Sequence, residues 1–189
     1  MVEAGSLKAQ SVILREGELF RVLSVEHHGG GGQFAGFVLL KLKSLRSGHI
    51  KELRCSPQEK FEDVELVRRE LEFLYEDESG FVFMDGESYE QYTLPKETLG
   101  KKAVFLRENA SLPVEFWQDQ PVSVVFPSVV ELKVVSAPAG LRDLESSAMK
   151  TVTLENGMEV LAPQFIEEGD LVRVDTETGR YLERVRQKK

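Results

Sequence analysis

Few residues in this 189-residue chain could do chemistry, and their spacing groups them poorly. His27, His28 and His49 are the only histidines, and Cys55 is the only cysteine. Adjacent histidines on an extended chain point to opposite faces, so His27 and His28 cannot share a metal ion without a third ligand. A lone thiol has no partner for a disulfide or thiolate cluster, so Cys55 reads as a small, half-buried residue in a reducing compartment. Gly29, Gly30, Gly31 and Gly32 precede Gln33, but no Gly-Lys-Ser/Thr completes a phosphate-binding loop, and the run lies between strand-like segments. Carboxylates cluster at Glu167 and Glu168 and at Glu76, Asp77 and Glu78, in turn-like stretches without the apolar surroundings that would raise a carboxyl pKa for acid–base work. Phe116 and Trp117, within "LPVEFWQDQPVSVVF", read as core. The residues therefore point away from an enzyme; no catalytic residue, metal site or cofactor is expected.

The elements that must carry these residues are strands. Short β-branched or aromatic runs alternate with turn signals at "LREGEL", "RSGH", "EDESG", "MDGES", "LENG" and "TETGR", the pattern of small antiparallel barrels. Asn156-Gly157 marks a hairpin turn. Helical periodicity is confined to single turns expected near Pro95 and within "SPQEKFEDVEL". No apolar run approaches the roughly 20 residues needed to cross a bilayer, which predicts a cytoplasmic protein without membrane contact.

The net charge of −8 is unevenly spread. Residues 1–63 hold nine Lys and Arg against eight Asp and Glu; residues 64–127 hold six against thirteen, and residues 128–189 nine against eleven. Affinity for phosphate comes mostly from Lys and Arg, so the acidic middle is the poorest candidate for nucleic acid, and a surface in the first or last third could face RNA. If "GFVLLKLKSLRSG" is a strand, Lys41 and Lys43 share a face and Arg46 reaches the next turn, giving a small cationic stripe.

From Met149 onward, "MKTVTLENGMEVLAPQFIEEGDLVRVDTETGRYLERV" resembles the C-terminal signature of the bacterial elongation factor P family. Lys150, Val152, Gly157, Val160, Pro163, Ile166, Gly169, Asp170 and Val172 fall at its spacings, with Ala162 where Val is usual. "LEFLYEDESGFVFMDGESYEQYTL" is similar to the family's second domain, and "GELFRVLSVEHH" with "GFVLLKLKSLRSGHIKE" to the strands flanking its tip loop. The resemblance covers nearly the whole chain, in order.

It implies an all-β fold of three small barrels in an elongated, tRNA-like arrangement. An SH3-like (KOW-type) domain over 1–63 would be followed by OB-like domains over 64–127 and 128–189. It also implies a monomeric, non-enzymatic factor bound to ribosomal RNA and proteins between the peptidyl-tRNA and exit sites. Such a factor touches peptidyl-tRNA and mRNA and relieves stalling on proline runs by positioning the peptidyl-tRNA. The alternative is a divergent paralogue that keeps the fold and ribosome or protein binding without proline rescue.

Two departures from the family stand out. Its tip loop carries a Lys or Arg, usually modified, at a position that falls here between Gly31 and Gln33; no Lys or Arg occurs between Arg21 and Lys41. The tip facing peptidyl-tRNA would instead be His27, His28, Gly29 to Gly32 and Gln33, whose backbone N–H groups could approach phosphate closely. The family's Gly-Asp-Thr loop near the exit-site codon is replaced by Arg142, Asp143 and Leu144, in a loop one residue shorter. Tyr181 and Arg184 match the family's end pattern and join Lys41, Lys43 and Arg46 as candidates for RNA contact.

Overall fold

Alternation of apolar and polar side chains builds almost everything in this protein. The computed structural model describes residues 1–30, 36–138 and 149–185. In β4 (Phe37–Ser44), Val38, Leu40, Leu42 and Ser44 are buried while Phe37, Leu39, Lys41 and Lys43 face outward, the two-residue period of a strand with one covered face. β4 is flanked by β3 (Glu18–His28) and β5 (Ile50–Cys55) in a six-stranded antiparallel sheet completed by β1 (Val2–Glu3), β2 (Val12–Arg15) and β6 (Lys60–Val64). The strand order is β1-β6-β2-β3-β4-β5. Ile13, Phe20, Val22, Leu40, Leu42 and Phe61 fill its core. Cys55 is fully inside it, donating to the Val38 carbonyl at 3.6 Å, and burial pushes its thiol pKa up.

The helical turn expected within "SPQEKFEDVEL" is absent. Ser56 to Glu59 form a turn closed by the Glu59 N–H on the Ser56 carbonyl, and the chain then runs as β6. Phe61 is buried between exposed Lys60 and Glu62, so alternation overrides the local preference.

A second antiparallel sheet comprises β7 (Val67–Glu76), β8 (Phe81–Asp85), β9 (Gln91–Leu94), β10 (Ser111–Trp117) and β11 (Gln120–Val124), in the order β11-β10-β7-β8-β9. Its edges, β9 and β11, come together. Phe73, Phe81 and Phe83 pack as tilted and edge-on rings at its centre. Gly80, with φ of +143°, is required where β8 begins, because a Cβ there would overlap the Leu94 carbonyl. The clustered carboxylates serve the turns: Asp77 accepts the Ser79 N–H at 2.8 Å, and Glu76 pairs with Lys96 at 2.6 Å. The expected turn after Pro95 is α1 (Lys96–Leu99), continued as a 3₁₀ segment.

The third sheet, β14-β13-β12-β15-β16, joins β12 (Val129–Ser136), β13 (Met149–Leu154), β14 (Glu159–Pro163), β15 (Leu171–Asp175) and β16 (Tyr181–Arg184). The β13–β14 hairpin turns at Asn156-Gly157, with φ of +82° at the glycine. Leu132, Val134, Val152, Leu154, Ile166 and Val172 form the core, with Phe105 packed against it. No helix among the described residues is long and apolar enough to cross a membrane.

Two compact units result: Met1–Gly100 with Glu108–Val125, and Lys101–Arg107 with Phe126–Lys189. Within the first, the two sheets meet along an apolar seam in which Trp117 and Val122 pack near Val12, Leu19 and Leu45. At this seam Val114, Glu115 and Phe116 are buried in succession, which a strand allows only when both its faces are covered. The Glu115 side chain is 3% exposed and accepts from Arg21 of β3, from Ser123, and from Arg68 through Nε at 3.1 Å and Nη2 at 3.0 Å. Burial pushes its carboxyl up, but the Ser123 hydroxyl and the charges of Arg21 and Arg68 outweigh that and hold its pKa below the ordinary value.

A depressed folded pKa contributes stability that is complete above the unfolded value, about 4.3, and lost as pH falls through the folded one. Glu115→Gln is therefore expected to cost about 3 kcal/mol at neutral pH, the lower end for breaking a buried ion pair, and to flatten the acid limb of the stability curve. Urea melts across pH check both; parallel acid limbs for the two proteins would contradict the assignment.

Candidate nucleic-acid interface

β3 has eleven residues, but β2 accompanies it only as far as Arg21, opposite Val12. A bulge between Val22 and Ser24 bends the strand there. Beyond it, Ser24 to His28 pair only with β4 and form the edge of an arm in which β5 accompanies β4 on its other side as far as Cys55, opposite Val38. His27 lies opposite Val38 and His28 opposite Phe37, so the two histidines take opposite faces, as alternation requires.

The arm narrows at its end. A Cβ on Gly36 would stand 2.8 Å from the His28 carbonyl oxygen and 3.2 Å from the Gly30 nitrogen. Only glycine lets the two backbones approach this closely. Just below, the His28 and Phe37 rings stack with centroids 4.5 Å apart and planes 10° from parallel. From the β5 side, the Arg54 guanidinium lies 3.7 Å from the Phe37 centroid. The His28 Nε2 faces the Glu26 carboxylate at 3.7 Å.

Lys41 and Lys43 share the outward face with Phe37 and Leu39, opposite Glu52 and Ile50 of β5. Arg46 does not continue their stripe toward the arm's end. It follows the other end of β4, where its carbonyl lies 3.4 Å from the Thr98 hydroxyl. In the other unit, Tyr181 is half-buried against the third core, and burial pushes its phenol pKa up. Arg184 is half-exposed, 5.3 Å from the Phe165 ring centroid and 3.5 Å from the Asp170 carboxylate. Gly31, Gly32 and Gln33, and likewise Arg142, Asp143 and Leu144, lie outside the described residues. Among the described residues, no group of three or more His, Cys, Asp or Glu could hold a metal ion.

Sequence reasoning missed Phe37, Arg54 and Glu115. The first two acquire their role from register across three strands, and Glu115 from a second sheet covering β10; no local pattern signals either.

Three family models match the chain in order: the elongation factor P KOW-like domain over residues 3–61, the elongation factor P OB domain over 66–124, and the elongation factor P C-terminal model over 130–184. Elongation factor P of Pseudothermotoga lettingae is 40% identical over 186 residues, covering 97% of this chain and all of the relative. That of Kosmotoga olearia is 36% identical over 185 residues, with the same coverage.

The chain belongs to the elongation factor P family.

Among solved structures, the eukaryotic translation initiation factor 5A from Methanococcus jannaschii matches with a TM-score of 0.51 at 18% identity, covering 66% of this chain and 92% of that one, a likeness of fold. Membership of the elongation factor P family makes the chain one of a family of translation elongation factors. In this member, the stretch between Arg21 and Lys41 has no Lys or Arg.

The pinch at Gly36 yields a direct expectation. Gly36→Ala should force the hairpin open and destabilise the unit by roughly 1–3 kcal/mol, as overpacking does. Amide shifts centred on His28 and Gly30 and a lower urea midpoint are the readouts; an unchanged spectrum would mean the strands are not held this closely.

Proposed function

We propose that this chain binds the ribosome between the peptidyl-tRNA and exit sites and promotes peptide-bond formation on proline runs by positioning the peptidyl-tRNA, without chemistry of its own. Family membership along the whole chain, in domain order, is the observation that carries this reading. Domains over 1–63, 64–127 and 128–189 are part of it, each built on one of the three sheets. Proline's fixed φ restricts the geometries from which it can react, so a factor that orients the partner substrate contributes by removing orientational freedom.

The unusual element is the tip. With no Lys or Arg between Arg21 and Lys41, an extended side chain cannot supply the contact. Backbone N–H groups of the glycine run and the stacked face of the arm remain to provide it. The same observation favours the second reading, a paralogue that binds the ribosome but has left proline rescue.

Translation of a proline-run message in vitro, with and without the protein, separates the two, together with intact-mass measurement of protein from its native cell. Stimulation by protein of unmodified mass is the expected result; ribosome binding without stimulation selects the second reading. Replacing Lys41, Lys43 and Arg46 with Ala is expected to weaken ribosome binding and to reduce its logarithmic salt slope by about one for each phosphate no longer neutralised. An unchanged slope in co-sedimentation would reject these residues as phosphate ligands.

A further inference from the structure

The Arg54–Phe37–His28 ladder is unfinished at one end. Arg54 from β5 and His28 from β3 approach Phe37 from its two neighbouring strands, at stacking distances of 3.7 and 4.5 Å. Among the described residues, Phe37 is the one ring stacked on His28. β2 stops opposite Arg21, so no strand among the described residues flanks His28 on its other side, and its side chain is 46% exposed. We propose that the free face of the His28 ring is a stacking site for an unpaired RNA base, which would extend the ladder by one planar group.

Three features suit a base to this position. The ring is held before any ligand arrives: Phe37 fixes its plane, Glu26 faces Nε2, and the close approach at Gly36 ties His28 to the opposite strand. Stacking then costs little ordering entropy. Every base has a π-face, so the site needs no hydrogen-bond readout and tolerates any sequence. The same face carries Arg54 beside the ladder and Lys41 and Lys43 further along β4, cations for the phosphates of a short single strand, whereas Glu26 and Glu52 interrupt the positive surface that a continuous duplex backbone would need. A single-stranded end or a flipped-out nucleotide fits this balance better than a helix does.

This inference rests on the reading of the chain as a ribosome-bound factor, and the test separates the two. The full chain is titrated with a single-stranded adenosine tetranucleotide and with an abasic tetramer of equal charge, while the imidazole protons are followed by NMR. The expected result is a saturable upfield ring-current shift at His28, absent at His27 and absent with the abasic tetramer. His28→Trp should keep the preference for the base-bearing tetramer, and His28→Ala should weaken its binding at least roughly tenfold, within the range for loss of one stacked base. Equal binding of both tetramers, or unaltered binding by His28→Ala, overturns the proposal. So does a shift at His28 produced only by an aromatic peptide, which would assign the face to a protein. Co-sedimentation of the unaltered chain with ribosomes reports on the broader reading independently: if it persists while the tetranucleotide leaves His28 unshifted, only the stacking site fails.

Discussion

One carboxylate, shared between two guanidinium groups and a hydroxyl and removed from water, joins the first two sheets into one unit. Glu115 belongs to the second sheet, Arg21 to the first, and Arg68 lies beside Glu115 on the neighbouring strand. A buried charge left without its partners is strongly unfavourable, so the arrangement tolerates few alternatives. The apolar seam around Trp117, Leu19 and Leu45 supplies area but no direction; the ion cluster supplies direction. Arg21 is also the residue at which β3 leaves its neighbour β2 and becomes the edge strand of the arm. The anchor of the two-sheet unit and the root of its arm are thus the same position.

From that root outward, the described part of the arm is built from backbone contacts and stacked planar groups. The bulge after Val22 sets the bend, glycine at position 36 lets the strands close, and His28, Phe37 and Arg54 assemble into a ladder only because three strands hold a fixed register. A long flexible cation would lose considerable rotamer freedom on binding, whereas rings already stacked lose little.

Charge follows a related division. The middle third carries a net −7, and part of that acidity has local work: Asp77 accepts the Ser79 hydroxyl and N–H, and Asp85 the Glu87 and Ser88 N–H groups, in tight turns that hold both pKa values below the ordinary one, as the Thr178 N–H and hydroxyl do for Asp175 in the last third. Other acids meet cations at the surface, as Glu76 does Lys96 and Asp119 does Arg69. The carboxylate clusters therefore belong to turns and solvated pairs, and Glu115 differs from them in being buried.

The sequence by itself determined the all-β class, the hairpin at Asn156-Gly157, the turn after Pro95, the shared face of Lys41 and Lys43, and the family. Each of these is written in local spacing or in an ordered series of motifs, because strand alternation and turn chemistry act over a few residues. Where local preference and tertiary burial disagreed, as at Phe61, the helical turn expected from residues 56–66 gave way to a strand. Only the tertiary structure decided that the turn carrying Arg46 meets Thr98, that Phe37 and Arg54 flank one another, and that Glu115 is enclosed by Arg21, 94 residues away. The reason is physical: strand register and sheet-on-sheet contact join residues far apart in the chain, and neither leaves a periodic trace in the segments it joins.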